Sequence, residues 1–246
     1  MSEPAEKTLS AENLSKVYRG RKVVDDVSIS MTNQEIVGLL GPNGAGKTTT
    51  FYMVVGLARA DKGKVTYNGE DITHMPMYAR ARIGIGYLPQ EPSIFRKLTV
   101  YENLMAILEN LPFSRREREE KARSLLDEFG ILHLSDHIAL SLSGGERRRL
   151  EIARALCPDP SFILLDEPFA GIDPIAVADI QGLVLKLREK GIGILITDHN
   201  VRDTLCITDR AYILSEGKII EEGAPTQIAQ SERARNIYLG QNFSLK

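Results

Sequence analysis

A glycine-rich stretch at residues 41–49 has the residue types and spacing of a phosphate-binding loop. It fits the pattern G-x-x-x-x-G-K-[ST] at every fixed position. A short apolar run at residues 36–40 predicts a buried strand before it, and residues 48–55 predict a helix after it. Glycines let successive N–H groups turn toward an anion, and the helix N-terminus adds its positive dipole end. The stretch therefore predicts a nucleotide site rather than a glycine-rich turn with an unrelated lysine.

Two polar residues of this loop have specific expected roles. Lys47 supplies a compact positive charge for the β- and γ-phosphates, and the Thr48 hydroxyl is placed to ligate Mg²⁺. The predicted ligands are therefore ATP and Mg²⁺. The whole loop is expected to contact the nucleotide: Gly41, Pro42, Asn43, Gly44, Ala45, Gly46, Lys47, Thr48 and Thr49.

A pair of carboxylates follows a second buried-strand pattern at residues 162–165. Asp166 and Glu167 emerge where that strand reaches its carboxyl end, which is where ligands gather in open α/β sheets. Asp166 is predicted to hold Mg²⁺, directly or through water, and Glu167 to act as the general base that aligns the attacking water. The alternative, a solvated pair capping the strand, carries little weight beside a phosphate loop.

Two more polar residues follow strand patterns and are further catalytic candidates. His199 follows the predicted strand at residues 194–197, where it could reach the γ-phosphate or serve as a structural histidine. Gln90 ends the predicted strand at residues 83–88. Its amide could touch Mg²⁺ or the water, or it could simply cap the loop.

A second anion site is predicted at Ser143, Gly144 and Gly145. Ser143 and Glu146 have the spacing of a capping box, and the two glycines leave the helix N-terminus uncovered. A purely structural role explains the serine and the glutamate but not two adjacent helix-weakening glycines.

Composition indicates an ordinary globular α/β protein. The chain has 246 residues, of which 43% are hydrophobic and 26% charged, with a net charge of −2. That charge argues against nucleic acid as a bulk electrostatic partner. Neither a signal peptide nor an apolar run long enough to cross a bilayer is visible, so a cytosolic location is expected. Both cysteines are expected to be small reduced core residues.

The order of patterns predicts a single domain over residues 1–246. Strand patterns dominate the first 98 residues, and alternating strand and helix patterns return from residue 142. Between them, residues 99–141 read as helices, including one that a capping box opens at Ser114. We interpret this block as a helical subdomain inserted into an α/β core that also carries an N-terminal antiparallel β-subdomain.

Taken together, these motifs resemble an ABC-type ATPase in order and spacing over essentially the whole chain. The resemblance implies a P-loop NTPase core in which two copies enclose two ATP molecules. Each ATP would bind the phosphate loop of one copy and Ser143, Gly144 and Gly145 of the other. By the same resemblance, Tyr18 would stack on adenine and Asp173 would cross the dimer interface. Glu146 departs from the family's usual glutamine and is expected to turn back and cap its helix.

Residues 84–100 look similar to one branch of the family, the ATPase subunit of the lipopolysaccharide export machinery. This implies a homodimer on the cytoplasmic face of the inner membrane that drives two membrane-spanning permease subunits, with periplasmic lipopolysaccharide-carrier proteins as indirect partners. The permeases would dock in a groove near Pro92, Ser93, Ile94, Phe95 and Arg96. The alternative at that loop is a surface segment with Phe95 tucked into the core.

Other functions remain open at this stage. An ATPase of a branched-chain amino-acid importer has similar size and motifs. A soluble ABC protein usually fuses two ATPase halves or inserts a long coiled coil, and the single phosphate loop counts against it. No residue reads the cargo directly, so only the resemblance points to lipopolysaccharide.

Overall fold

The fold consists of two β-sheets and the helices packed on them. The computed structural model describes residues 6–245. The predicted domain spans residues 1–246, so its first five residues and its last residue lie outside the described range. The same holds for residues 1–5 of the opening segment, in which no signal peptide was found. Its strands are β1 (Thr8–Tyr18), β2 (Arg21–Thr32), β3 (Ile36–Leu40), β4 (Lys62–Tyr67), β5 (Glu70–Asp71), β6 (Ile85–Leu88), β7 (Phe162–Asp166), β8 (Gly193–Thr197), β9 (Arg210–Ser215) and β10 (Lys218–Gly223).

The helices lie between and beyond these strands. They are α1 (Lys47–Val55), α2 (Met77–Arg82), α3 (Val100–Leu108), α4 (Arg115–Glu128), α5 (Gly144–Ala155), α6 (Pro174–Glu189), α7 (Val201–Leu205), α8 (Pro225–Gln230) and α9 (Glu232–Ala234). Short 3₁₀ turns at Leu132–Leu134 and Ala139–Ser141 follow α4, and a π turn at Arg235–Leu239 follows α9.

The two sheets differ in strand direction. The smaller sheet is antiparallel with the order β2-β1-β4-β5, as predicted for the N-terminal part. The larger sheet has the order β10-β9-β3-β8-β7-β6, with every neighbouring pair parallel except β9 and β10. The predicted α/β class is confirmed. In the parallel part of this sheet the carboxyl ends of β3, β6, β7 and β8 share one edge, so the residues that follow these strands converge there.

Hydrophobic clusters cover both faces of the larger sheet. One joins β7 and β8 to the helices α3, α4, α5 and α6. The other lies between the two sheets and encloses α1. Residues 99–141 contain α3, α4 and the 3₁₀ turns, and their division into a separate subdomain remains a prediction.

Two features differ from the sequence-based expectations. The residues of α2 and α7 carried no helix prediction, because each helix is only five or six residues long and shows no amphipathic repeat. Cys157 is buried as expected, but Cys206 is exposed, so its assignment to the core is wrong. It is the C-cap residue of α7 and lies between the buried residues Leu205 and Ile207.

Arg80 is a fully buried cation that holds the carboxyl end of α1. Its guanidinium donates to the carbonyl oxygens of Met53 and Val54 in the last turn of α1, and to those of Ile72, Thr73 and Met75 in the loop before α2. A positive charge at this end also complements the helix dipole. Burial lowers the pKa of Arg80 to about 10. One side chain thus anchors the far end of the helix that begins at the phosphate loop.

Replacing Arg80 by methionine is expected to lower the free energy of unfolding by about 3 kcal/mol or more, because several buried carbonyl groups would lose their donor. Urea unfolding of the full chain measures this change. Arg82→Met is the matched control, since Arg82 is exposed on the same helix, and it should shift stability by less than about 0.5 kcal/mol. Equal effects of the two substitutions would contradict the anchoring role.

Candidate active site

The phosphate loop connects the end of β3 to the start of α1. Lys47 is 9% exposed, and its ammonium group donates to the carbonyl oxygens of Gly41 (2.7 Å) and Pro42 (3.0 Å). Burial lowers the pKa of Lys47, and the nearby carboxylates Glu167, Asp166 and Asp198 oppose that shift. Within residues 6–245 no carboxylate lies within ion-pair distance of this ammonium group. A buried cation held only by carbonyl oxygens beside a helix N-terminus can accept an anion.

A cavity of about 740 Å³ opens beside this loop. The first residues of β2, the outer part of the phosphate loop, the β9–β10 turn and one residue of the C-terminal π turn line it: Arg21, Lys22, Val23, Pro42, Asn43, Gly44, Ala45, Ser215, Glu216, Gly217 and Ile237. Tyr18 pairs in register with Arg21 at the rim. Its ring is 47% exposed, and the Lys16 ammonium lies 5.3 Å from the ring centroid. An aromatic face is therefore available next to the cavity.

Asp166 ends β7 as a buried carboxylate, 2% exposed. One of its oxygens accepts a 2.7 Å hydrogen bond from the hydroxyl of Thr197, the last residue of β8. Burial raises the pKa of Asp166, and the hydrogen bond from Thr197 opposes that shift. The parallel pairing of β7 with β8 puts the two residues side by side. Thr197 was not predicted as a site residue, although its position two residues before the predicted His199 is a signal.

The structure brings Gln90, Glu167 and His199 together. The Gln90 amide donates to Oε2 of Glu167 at 2.8 Å, and Nδ1 of His199 lies 3.3 Å from the same oxygen. The Glu167 backbone has a φ of +45°, and its N–H donates to the Thr197 carbonyl at 2.8 Å. An amide and an imidazole thus fix one carboxylate oxygen from two directions. This arrangement can orient a water molecule and accept its proton.

Asp198 is a fully buried carboxylate that the sequence analysis did not assign. It accepts hydrogen bonds from the backbone N–H groups of Phe169 (3.2 Å) and Asn200 (2.8 Å). Burial raises its pKa, and these backbone hydrogen bonds oppose the rise. Its other contact is with Nδ1 of His199, at 3.4 Å. Asp198 therefore ties the loop after β7 to the loop that carries the histidine.

Arg148 is the largest omission of the sequence analysis. This buried guanidinium on α5 donates to the carbonyl oxygens of Pro89 (3.0 Å), Pro168 (3.2 Å), Asp166 (3.3 Å) and Glu167 (3.4 Å). It also pairs with Glu151 at 3.0 Å. Burial lowers the pKa of Arg148, and the carboxylate of Glu151 opposes that shift. The available signal was helical spacing, because residue 148 precedes the apolar residue 152 by four positions on the inward face.

The start of α5 lies apart from the phosphate loop within one chain. Ser143 and Glu146 form the predicted capping box, so the expectation that Glu146 caps its own helix is confirmed. A Cβ built on Gly145 would lie 3.1 Å from Cβ of Ala176 on α6. The side chain of Asp173 caps α6 by accepting from two backbone N–H groups. In the described part of the chain no hydrogen bond joins Ser143, Gly144 or Gly145 to the phosphate loop.

The loop at residues 92–96 is held in place while its aromatic residue faces outward. Ser93 receives a hydrogen bond from Arg154 and donates its N–H to Glu151. Ile94 is buried, whereas Phe95 is 44% exposed under the Arg154 guanidinium, 4.9 Å from its ring centroid. The alternative in which Phe95 is tucked into the core is therefore wrong.

None of the helices in residues 6–245 is both long and apolar enough to cross a bilayer.

Comparison with known proteins agrees with this geometry. The family model described as "ABC transporter" matches residues 24–170. The chain is 60% identical to the lipopolysaccharide export system ATP-binding protein LptB of Haemophilus influenzae, covering 96% of this chain and 99% of that protein. It is 59% identical to LptB of Escherichia coli K12, with 97% and 99% covered.

Solved structures give the same result. An ATP-binding cassette of an ABC transporter in its ADP conformation matches with a TM-score of 0.86 and 34% identity, over 96% of this chain and 99% of that one. A nucleotide-free cassette matches with a TM-score of 0.85 and 32% identity, over 96% and 100%. The chain therefore belongs to the ABC transporter family.

Proposed function

We propose that this chain is the ATP-hydrolysing subunit of a transporter that exports lipopolysaccharide. The ATPase part of the proposal rests on the groups at one edge of the sheet. Among the described residues, the buried Lys47 ammonium group forms no ion pair there. Three carboxylates and a histidine lie at the same edge: Asp166, Glu167, Asp198 and His199. A cation alone would bind a phosphate. The addition of a held carboxylate at Glu167 supplies a group that can activate water, which a simple nucleotide sensor does not need.

The residues present fit Mg²⁺ bound together with ATP. Mg²⁺ is held in such sites by one or two carboxylates and the substrate phosphates rather than by an all-protein cage. Asp166 provides a carboxylate, and Thr48, exposed at the start of α1, provides a hydroxyl. In residues 6–245 no three His, Cys, Asp or Glu side chains are grouped so that they could hold a metal ion. The ion would neutralise charge on the β- and γ-phosphates.

In the proposed hydrolysis, Glu167 orients the attacking water and accepts its proton. The amide of Gln90 and the ring of His199 hold the carboxylate, so that little reorganisation is needed when the nucleotide arrives. In the proposed complex Gln90 would also contact Mg²⁺, and His199 would contact the γ-phosphate. Lys47 and the N–H groups of the loop bind the phosphates themselves.

The second anion site supports a dimer. Gly144 and Gly145 present backbone N–H groups at the start of α5, whereas the Ser143 N–H donates to Glu146. No hydrogen bond in the described chain joins these three residues to its own phosphate loop. A second copy placed head to tail would bring them to the phosphates of the first, with Asp173 at the interface. Tyr18 would stack on adenine at the rim of the cavity. The assembly is then a homodimer that encloses two ATP molecules.

The transport role rests on similarity to the named relatives. At about 60% identity over nearly the full length of both chains, the lipopolysaccharide export proteins support the same cargo pathway here. In that pathway the homodimer works on the cytoplasmic face of the inner membrane beneath two membrane-spanning subunits, which connect to periplasmic lipopolysaccharide carriers. The exposed ring of Phe95, on a loop fixed by Arg154 and Glu151, suits a contact with those subunits.

Glu167→Gln is expected to lower ATP turnover by at least about 10²-fold, because the amide cannot accept the proton of water. ATP binding should persist, and the bound nucleotide should trap the dimer. Phosphate release and size-exclusion chromatography with ATP measure the two effects. Glu189→Gln, an exposed carboxylate at the end of α6, is the matched control and should leave both unchanged. Full hydrolysis by Glu167→Gln would contradict the general-base assignment.

Arg148→Lys is expected to lower the free energy of unfolding by about 2 kcal/mol, since an ammonium group cannot span the four carbonyl oxygens that the planar guanidinium reaches. Turnover should fall as well, because the carbonyl groups of Asp166 and Glu167 lose a shared restraint. Urea unfolding and steady-state hydrolysis measure the two quantities. The partly exposed neighbour Arg149, changed to lysine, serves as control. Unaltered stability of Arg148→Lys would refute this role.

Co-purification of the tagged chain from gently solubilised membranes tests the cargo assignment. Two multi-span subunits together with periplasmic lipopolysaccharide-carrier proteins are expected. Phe95→Ala should reduce their recovery because it removes the exposed contact, while Val17→Ala, a similarly exposed side chain on the antiparallel sheet, should not. Recovery of importer permeases with an amino-acid-binding protein, or of no membrane subunit, would overturn the export role and leave the ATPase mechanism intact.

A further inference from the structure

The turn between β9 and β10 packs against the phosphate loop through main-chain atoms. A Cβ built on Gly41 would lie 2.0 Å from the carbonyl oxygen of Leu214, at the end of β9. One built on Gly46 would lie 2.6 Å from the carbonyl oxygen of Val23 on β2. Both distances are too short for real side-chain atoms. At these two positions the neighbouring segments therefore leave no space for a side chain.

Gly217 joins these three segments by hydrogen bonds. Its N–H donates to the Ala45 carbonyl at 2.9 Å, and its carbonyl accepts from the Asp25 N–H at 2.8 Å. Its φ is +78°, and a Cβ there would lie 2.7 Å from the Val23 carbonyl oxygen. The left-handed backbone and the close approach both favour glycine. A side chain at this position would have to displace the turn from β2 or from the phosphate loop.

The hydrogen bond from Gly217 fixes the direction of one amide in the phosphate loop. The Ala45 carbonyl and the Gly46 N–H belong to a single peptide unit, which is planar and trans. In a trans peptide the C=O and N–H bonds point in opposite directions. Because the carbonyl points to the turn, the Gly46 N–H points away from it. The described part of the chain offers that N–H no acceptor.

The ion pairs around the turn do not explain its placement. Lys22 and Lys218 both pair with Asp25, at 2.7 and 3.3 Å, but the two lysine side chains are more than half exposed. Such surface pairs contribute little to stability and are screened by salt. The main-chain hydrogen bonds and the close backbone approach therefore hold the turn against the loop.

We propose that Gly217 is a positioning residue for phosphate recognition: by holding the Ala45 carbonyl, it aims the Gly46 N–H at the phosphate groups of bound ATP. The proposal rests on the proposed ATP-binding function and extends it to a residue 168 positions beyond the end of the loop. Gly217 should affect binding of the phosphates and not of the adenine base, because the peptide that it orients lies inside the phosphate loop. The residue proposed to stack on the base, Tyr18, lies elsewhere, at the end of β1.

The test compares binding of ATP and of inorganic tripolyphosphate by isothermal titration calorimetry. Gly217→Ala should weaken both by the same factor, about tenfold, as expected for the loss of one aligned hydrogen bond to a charged group. In steady-state hydrolysis KM for ATP should rise with a smaller change in kcat. A loss confined to ATP would assign the effect to the base and overturn the proposal, as would unchanged binding of both ligands.

Gly69→Ala is the matched control. Gly69 has nearly the same φ, +80°, in the turn between β4 and β5, but a Cβ there meets no atom within 4 Å. The substitution imposes similar backbone strain without disturbing the phosphate loop, so it should leave both dissociation constants unchanged. An equal loss in Gly69→Ala would mean that general destabilisation causes the effect. A wild-type chain that binds neither ligand would refute the proposed function itself.

Hydrogen exchange of the wild-type chain decides the question if Gly217→Ala does not fold. Tripolyphosphate should slow exchange in the β9–β10 turn at residues 215–218 as well as in the phosphate loop, because the ligand strengthens the arrangement that the turn supports. The β4–β5 turn should not respond. Protection of the loop without any change at residues 215–218 would overturn the proposal.

Discussion

The parallel alignment of β3, β6, β7 and β8 is the constraint on which the site depends. Parallel strands deliver the residues that follow them to one edge of the sheet. The phosphate loop, Gln90, the Asp166-Glu167 pair and His199 come from segments far apart in the chain, yet each follows one of these strands. A shift of one strand by one residue would reverse which side chains face the sheet's two sides. In β7 and β8, which are apolar up to their last residues, such a shift would separate the polar pair Asp166 and Thr197 that ends the two strands.

Buried charge at this edge must be compensated, and the structure does so mostly with backbone groups. Lys47 and Arg148 donate to carbonyl oxygens, and Asp198 accepts from N–H groups. Removing such charges from water is costly unless hydrogen bonds satisfy them. Main-chain partners satisfy them without fixing a neutralising opposite charge at each one. The edge thus keeps a polarised site in which an incoming phosphate and metal ion can complete the pairing.

The same logic links the site to the rest of the molecule. Arg80 holds the far end of α1, whose near end is the proposed phosphate site, and Arg148 ties α5 to the loops after β6 and β7. The start of α5 carries the proposed second anion site, so the hydrogen bonds of Arg148 connect the helix of that site to the loops around Glu167. Glu151 extends this path to Ser93, beside the exposed ring of Phe95. The proposed permease contact is therefore connected to the nucleotide edge by hydrogen bonds.

Local sequence was sufficient for the strand–loop–helix at residues 36–55, for the carboxylates after β7 and for the capping boxes at Ser114 and Ser143. In each case the residue types act on neighbours within a few positions, so the pattern carries the physics. The tertiary structure alone decided that Arg148 is buried beneath Glu167, that Asp198 receives two backbone N–H groups, and that Gly217 holds Ala45. Apart from the N–H of Asn200, which lies two positions from Asp198, these contacts join residues 19 to 172 positions apart. No periodicity encodes them, because they depend on where the folded sheet places backbone groups that carry no sequence signature of their own.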